Sequence, residues 1–244
     1  MRLVAALLLS LASLAVPASA QEAPLVSPIL TSAEAKDPWT FAEPEKARVT
    51  HVALDLTLDF AGKAVAGTVA LDLEAAPGAE TVVLDSQGLA VSKVTDGLGN
   101  PLPFTLGAAV EGKGVPLSVV FGNARKVIVH YSAAEAEALQ WLAPEQTAGG
   151  RYPYLLSQGQ PTLNRTWIPT QDSPGIRQTW DARIVAPKPL TVVMSGLVVG
   201  EPEDLGDTRA FRFRMDKPVA PYLIAIAAGD LAFRELGPRT GVWT

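Results

Sequence analysis

Side chains able to do chemistry are few in this sequence, and they do not fall into a spacing that assembles a catalytic centre. The two histidines, His51 and His130, each sit inside an alternating, strand-like stretch, with no second ligand four residues away and no adjacent Glu to act as a base. There is no Cys, which removes disulfides, thiolate metal sites and a Cys nucleophile together. No G-x-S-x-G elbow, no G-x-x-x-x-G-K-[ST] loop and no G-x-G-x-x-G turn occurs. Carboxylates grouped for acid–base work, Glu135 with Glu137 and Glu201 with Glu203 and Asp204, stand in Ala-rich or turn-like settings open to water. Asn164-Arg165-Thr166 matches a glycosylation sequon, a pattern short enough to arise by chance. The residues by themselves assign this chain no catalytic group and no metal ligand.

One segment, Gln140 to Trp180, has a different chemistry. It carries three of the five Trp (Trp141, Trp167, Trp180) and two of the four Tyr (Tyr152, Tyr154), mixed with Gln146, Gln158, Gln160, Asn164, Arg165 and Gln171. Rings supply contact area and amides supply direction, so this mixture suits a recognition surface. The same rings would equally serve as plugs at the ends of a sheet packing, and composition leaves both readings open.

The elements around that segment read as strands. Val52, Leu54, Leu56, Leu58 and Phe60 alternate with Ala53, Asp55, Thr57 and Asp59, and after Ala61-Gly62-Lys63 the alternation resumes from Val65 to Leu73, which predicts a hairpin. Short strands are expected at Thr81 to Leu84, Ala90 to Val94, Pro103 to Leu106, Leu117 to Phe121 and Lys126 to Tyr131. Further ones are expected at Ile176 to Val185, Leu190 to Val199, Ala210 to Met215 and Tyr222 to Ala228. Turn signals such as Pro77-Gly78, Asp96-Gly97 and Asn100-Pro101 separate them. Only Ala133 to Leu142 predicts a helix, short and stopped by Pro144. Strands at this spacing with almost no helix predict an all-β fold, a sandwich or a pair of curved sheets.

Composition agrees with one large all-β domain or two small ones. The chain has 244 residues, 48% of them hydrophobic and 18% charged, with 20 Gly and 20 Pro and no repeat period. A net charge of −5 without clustered Lys or Arg argues against a nucleic-acid partner. Residues 1–20 read as a signal peptide: Arg2, an apolar run from Leu3 to Val16, and an A-x-A exit at Ala18-Ser19-Ala20. The run is too short for a membrane span, and no second candidate follows. Export to the periplasm or medium is therefore expected. Residues 21–46, with four prolines among small and polar residues, read as an extended leader, and 47–244 as the folded domain.

The aromatic segment also carries a resemblance. The runs Ala138-Leu139-Gln140-Trp141-Leu142-Ala143-Pro144-Glu145-Gln146-Thr147, Pro153-Tyr154-Leu155-Leu156-Ser157-Gln158-Gly159-Gln160 and Pro169-Thr170-Gln171-Asp172-Ser173-Pro174 closely resemble the leukotriene A-4 hydrolase and aminopeptidase B branch of the gluzincin zinc aminopeptidases. The similarity runs from about Asp37 to Gly237-Pro238-Arg239-Thr240 and on to the end of the chain. It covers only the family's first domain. That resemblance implies a curved, mostly antiparallel β-saddle packed in the parent enzyme against a thermolysin-like catalytic domain.

The family's zinc motif H-E-x-x-H and its substrate-gripping G-x-M-E-N strand do not occur here. The chain is accordingly expected to be a fragment or truncated product of an exported zinc aminopeptidase. It would hold no cofactor of its own, with zinc implied for the parent, and the missing catalytic domain and a peptide substrate as partners. The resemblance further implies that the stretch matching Ser157-Gln158-Gly159-Gln160-Pro161 lines the pocket for the first substrate residue. Gln158 and Gln160 are the positions that carry over. Broader relatives often have Glu where Gln160 stands, and a bulkier residue where Gly159 stands. Tyr154 and Asp172 match motif positions too, with structural roles expected. The alternative is a free-standing secreted β-sandwich that binds peptide or carbohydrate through its Trp and Tyr side chains. A hydrolase acting alone is set aside by the absent zinc motif.

Overall fold

The computed structural model describes residues 37–244. The expected signal peptide and the first part of the expected leader, up to residue 36, lie outside the described residues. Among the described residues the regular structure is almost wholly extended. In chain order the strands are β1 (Ala47–Asp59), β2 (Ala64–Ala75), β3 (Thr81–Ser86), β4 (Leu89–Asp96), β5 (Phe104–Leu106), β6 (Val115–Val120), β7 (Lys126–Ala134), β8 (Leu139–Leu142) and β9 (Tyr154–Ser157). They continue with β10 (Gln178–Pro187), β11 (Thr191–Met194), β12 (Leu197–Val198), β13 (Glu203–Asp204), β14 (Thr208–Val219), β15 (Ile226–Gly229), β16 (Phe233–Gly237) and β17 (Thr240–Trp243).

The largest sheet runs β12-β14-β10-β1-β2-β7-β4, with β13 also on β14; a second runs β11-β15-β9-β8 and a third β3-β6-β5. Every pairing is antiparallel except that of β1 with β10. The all-β, mostly antiparallel expectation holds. It follows from the period of two: in β1 Val52, Leu54, Leu56 and Leu58 are buried while Asp55, Thr57 and Asp59 face water. One continuous core takes Leu56, Val69, Val129 and Ile184 from the large sheet, Leu84, Leu117 and Val119 from β3 and β6, and Leu155 and Ala228 from β9 and β15. The sheets are therefore layers about a single interior.

The helix expected over Ala133 to Leu142 is absent. Ala133 and Ala134 finish β7, paired with Val65 and Ala64 of β2, a turn at Glu135 (φ 52°) follows, and Leu139–Leu142 is strand β8 against β9. A ten-residue helix is marginal unless packing rewards it, and here Ala133 and Ala138 are wholly buried by sheet neighbours instead. The expected strand Leu190 to Val199 breaks at Ser195-Gly196, where a Cβ on Gly196 would lie 2.7 Å from both the Trp180 ring and the Arg214 carbonyl. Tyr222 opens no strand. Pro221–Leu223 is a 3-10 turn, and extension resumes only at Ile226. Besides β8, which falls in the expected helix, β9, the short β13 and the β16–β17 hairpin match none of the expected strands.

Candidate functional site

Between β9 and β10 the chain leaves the sheets and folds over their end. Ser157 Oγ accepts a bond from the Ile226 N–H (2.9 Å), and the Gln158 N–H donates to the Ala138 carbonyl (2.7 Å). The Leu163 N–H then donates back to the Gly159 carbonyl (2.8 Å). This closes a short loop in which Gly159 is buried and both Gln158 and Gln160 are exposed. The Gln160–Pro161 peptide bond is cis. The two glutamines singled out from the sequence thus both reach the surface, on either side of a buried glycine.

A buried polar knot follows this loop in the chain. Immediately after it comes a 3-10 turn, Asn164–Thr166, whose three residues are all buried. The Arg165 backbone N–H and Nε both donate to Asp172 Oδ2 (2.9 and 3.3 Å), and Nη2 donates to the Asp172 carbonyl (2.8 Å). Nη1 donates to the carbonyls of Trp39 (2.7 Å) and Lys113 (2.6 Å). Asp85 completes the knot, accepting from Thr40 Oγ1 (2.5 Å), the Phe41 N–H (2.7 Å) and the Asp172 N–H (2.8 Å). Residues 37–41, assigned to the leader in the sequence reading, are therefore fastened to the folded domain. A buried charge with this many partners is stable in place, and removing any partner leaves the others desolvated and unpaired.

Burial dominates the electrostatics here. It pushes the Asp172 carboxyl up to about 6, against the opposing pull of Arg165 and its backbone N–H, with Asp85 adding a smaller push upward. Asp85 is raised for the same reason, again opposed by Arg165 and by its own hydrogen bonds. The Tyr131 hydroxyl is also raised by burial, and it donates to the Trp167 carbonyl (2.8 Å). Asp172 has the structural role expected of it. The Tyr154 ring lies against Gly229, where a Cβ would come within 2.5 Å of it.

The other sequence candidates scatter. His51 bonds Thr179 Oγ1 (2.8 Å) and Asp181 Oδ1 (2.7 Å) on the outer face of β1 and β10, and His130 lies half-buried in β7. Glu135, Glu137, Glu201, Glu203 and Asp204 are exposed. Asn164 of the sequon is wholly buried, which rules out a glycan there in the folded chain. Trp167 and Trp180 are 0% exposed, so two of the segment's three tryptophans belong to the core and not to a recognition surface. Trp141 is half-buried and meets Phe60 edge-on at 5.1 Å. Among the described residues no three His, Cys, Asp or Glu side chains group closely enough to hold a metal ion.

The Arg165–Asp85–Asp172 knot was not anticipated. A signal existed, since a lone Arg followed directly by Thr166-Trp167-Ile168 is charge set among apolar residues and calls for a buried acidic partner. Its second carboxylate, Asp85, could not be found that way, being far away in sequence on an ordinary strand.

The model of the Peptidase M1 N-terminal domain matches residues 48–223. Leukotriene A-4 hydrolase of Xenopus laevis is 37% identical over 218 residues, covering 85% of this chain and 36% of that protein. Leucine aminopeptidase 2 of Yarrowia lipolytica is 34% identical over 214 residues, covering 86% of this chain and 32% of that protein. The chain thus spans about a third of the length of these relatives. Among solved structures, native leukotriene A4 hydrolase from Saccharomyces cerevisiae superposes with a TM-score of 0.75 at 30% identity, covering 85% of this chain and 33% of that one. A more distant match shows the same fold: an M1 zinc metallopeptidase from Deinococcus radiodurans, TM-score 0.65 at 21% identity, covering 82% of this chain and 46% of that one.

Proposed function

The chain belongs to the Peptidase M1 N-terminal domain family, and from that premise we propose that it is the substrate-cleft and docking domain of an exported zinc metalloaminopeptidase. Gln158 and Gln160 meet the first residue of the peptide substrate. The observation that carries this reading is the loop itself: two exposed amides on either side of a buried glycine, in a loop held by backbone bonds at Gln158 and Gly159. Rigid placement of this kind is what a substrate-end contact requires, because a misplaced hydrogen-bond acceptor loses most of its effect on rate. A Gln carbonyl accepts from a substrate ammonium, and its NH2 donates to a nearby carbonyl. Being neutral, it selects for a cation less sharply than a Glu would.

The described residues of this chain do not fit a zinc ion. Metal chemistry in the proposed enzyme belongs to its catalytic domain, the partner that this domain docks against. Export rests on the signal-peptide reading of residues 1–20. The rival reading, a free-standing module that grips its ligand with Trp and Tyr, loses support from the burial of Trp167 and Trp180.

Gln160 tests the reading in the full-length enzyme. Gln160→Ala is expected to lower kcat/KM for peptide substrates by about tenfold to a hundredfold, the consequence of leaving a buried donor poorly paired at roughly 1 to 3 kcal/mol. Gln160→Glu keeps an acceptor and adds charge attraction, so substrates with a free amino end are largely spared. Circular dichroism of both variants stays that of the wild type, because the side chain is exposed. A Gln160→Ala enzyme within about twofold of wild type, or one inactive only because it unfolds, would remove Gln160 from the pocket.

A further inference from the structure

The Asn164 side chain lies next to Gly159 of the glutamine loop. Asn164 is wholly buried, and three of its hydrogen-bonding positions are filled. Its Nδ2 donates to the carbonyls of Pro221 (2.6 Å) and Ile224 (3.0 Å), and its Oδ1 accepts from Trp167 Nε1 (2.9 Å). The amide therefore ties the turn Asn164–Thr166 to the turn Pro221–Leu223, which is distant in sequence. Gly159 lies in the notch between the two turns. A Cβ there would press directly on Asn164 Oδ1 and come within 2.8 Å of the Tyr222 carbonyl. Both obstacles are fixed in place, one as backbone and the other as an amide tied by three hydrogen bonds, so the obstruction has no easy relief.

We infer that Asn164 is a positioning residue that, together with Gly159, sets how deep the Gln158–Gln160 loop sits and hence how much room remains for the side chain of the first substrate residue. This rests on the proposed placement of that loop at the amino end of the substrate. Asn is required by its chemistry as well as its shape. An Asp at 164 would turn two donated bonds into a carboxylate facing the carbonyl oxygens of Pro221 and Ile224. Gly159 matters because any side chain there must lift the loop outward, toward the substrate. Lifting costs a large first residue more than a small one, and a methylene-sized change in an apolar pocket discriminates by about 10- to 200-fold.

The test compares Gly159→Ala, Asn164→Ala, Asn164→Asp and the Gly159→Ala/Asn164→Ala pair in the full-length enzyme, on substrates whose first residue is Ala, Leu or Phe. Gly159→Ala is expected to lower kcat/KM for Phe by about tenfold while changing that for Ala by less than about threefold. Adding Asn164→Ala removes one of the two obstructions and restores part of the ratio. Asn164→Asp does not behave as wild type, although it is nearly the same size. Amide hydrogen exchange at Gln158 and Leu163 is expected to quicken about tenfold in Asn164→Ala, with that of β1 and β2 unchanged. A Phe-to-Ala ratio that stays within twofold in every variant overturns the inference, as does a uniform loss on all three substrates that follows the fall in Tm. Gln160→Ala in the same series separates the two failures. If it is fully active, the loop does not face substrate and the underlying reading falls; if it is impaired while the size ratio stays fixed, the inference alone falls.

Discussion

Asp172 and Asp85 share one guanidinium in a site that water does not reach, and this gives the chain a specific pH response. Burial raises both carboxyls, Asp172 to about 6 from an ordinary 3.8. Each therefore binds its proton more tightly folded than unfolded. Their protonated contribution favours the fold in full below about pH 4 and fades as the pH rises through about 6. For Asp172 a change of about two pKa units corresponds to at most about 3 kcal/mol, shared in practice with Asp85 because the two titrate as a pair. Asp172→Asn removes this titration. The stability difference between wild type and Asp172→Asn, from urea unfolding, should then move against the wild type by about 1 to 3 kcal/mol between pH 4 and pH 7. Comparing the two proteins cancels the exposed carboxylates, of which Asp96 and Asp204 are lowered by side-chain hydrogen bonds from Asn100 and Lys188 and act in the opposite direction. A difference that stays constant with pH would show that the knot does not titrate in this range.

Strands β1, β2 and β7 are consecutive neighbours in the large sheet, and their closeness depends on Gly67 of β2. It pairs with Leu56 on one side and Tyr131 on the other, with φ at 149°, and a Cβ there would run into the Asp55 carbonyl. Gly67→Ala is expected to destabilise the chain by about 2 to 3 kcal/mol, through an unfavourable φ added to a backbone clash. The denaturant midpoint should fall with no change in m-value. An unchanged midpoint would mean that the sheet shears to accept the methyl group. Two sheets explain why Ala133 to Leu142 is not helical: backbone partners stand in extended register on β2 of the large sheet for its start and on β9 of the second sheet for its end.

At the scale of the molecule, the β16–β17 hairpin stands apart from the three larger sheets and, among the described residues, pairs only with itself. Phe233 and Leu236 are 57% and 65% exposed, and the Phe233 ring meets Trp243 at 5.1 Å on its surface. Beside it, Tyr152, Tyr154, Asp230 and Trp243 border a concavity of about 390 Å³. An apolar patch of this kind fits the docking role proposed for the domain. The isolated chain should bind a hydrophobic dye and self-associate at modest concentration. Phe233→Ser with Leu236→Ser should cut dye binding by more than about half while leaving Tm within a few degrees, since neither side chain is in the core. Dye binding that is absent in the wild type, or unaffected by the pair, would place the docking face elsewhere.

The sequence alone determined what depends on local pattern. Alternation fixed the β1–β2 hairpin and the all-β class, because a period of two leaves a half-buried chain no other regular way to hide Val52, Leu54, Leu56 and Leu58. The runs around Trp141, Gln158 and Asp172 were enough to place the family. Tertiary structure decided what depends on distant partners. Ala133 to Leu142 lost its helix to strands far along the chain, and Trp167 and Trp180 went to the core. Asp85 met Arg165 across the whole of β4 to β9, Thr40 joined them from ahead of the first strand, and Asn164 reached the turn after β14. Burial and pairing are properties of the neighbours that folding brings in, and no window of sequence contains them.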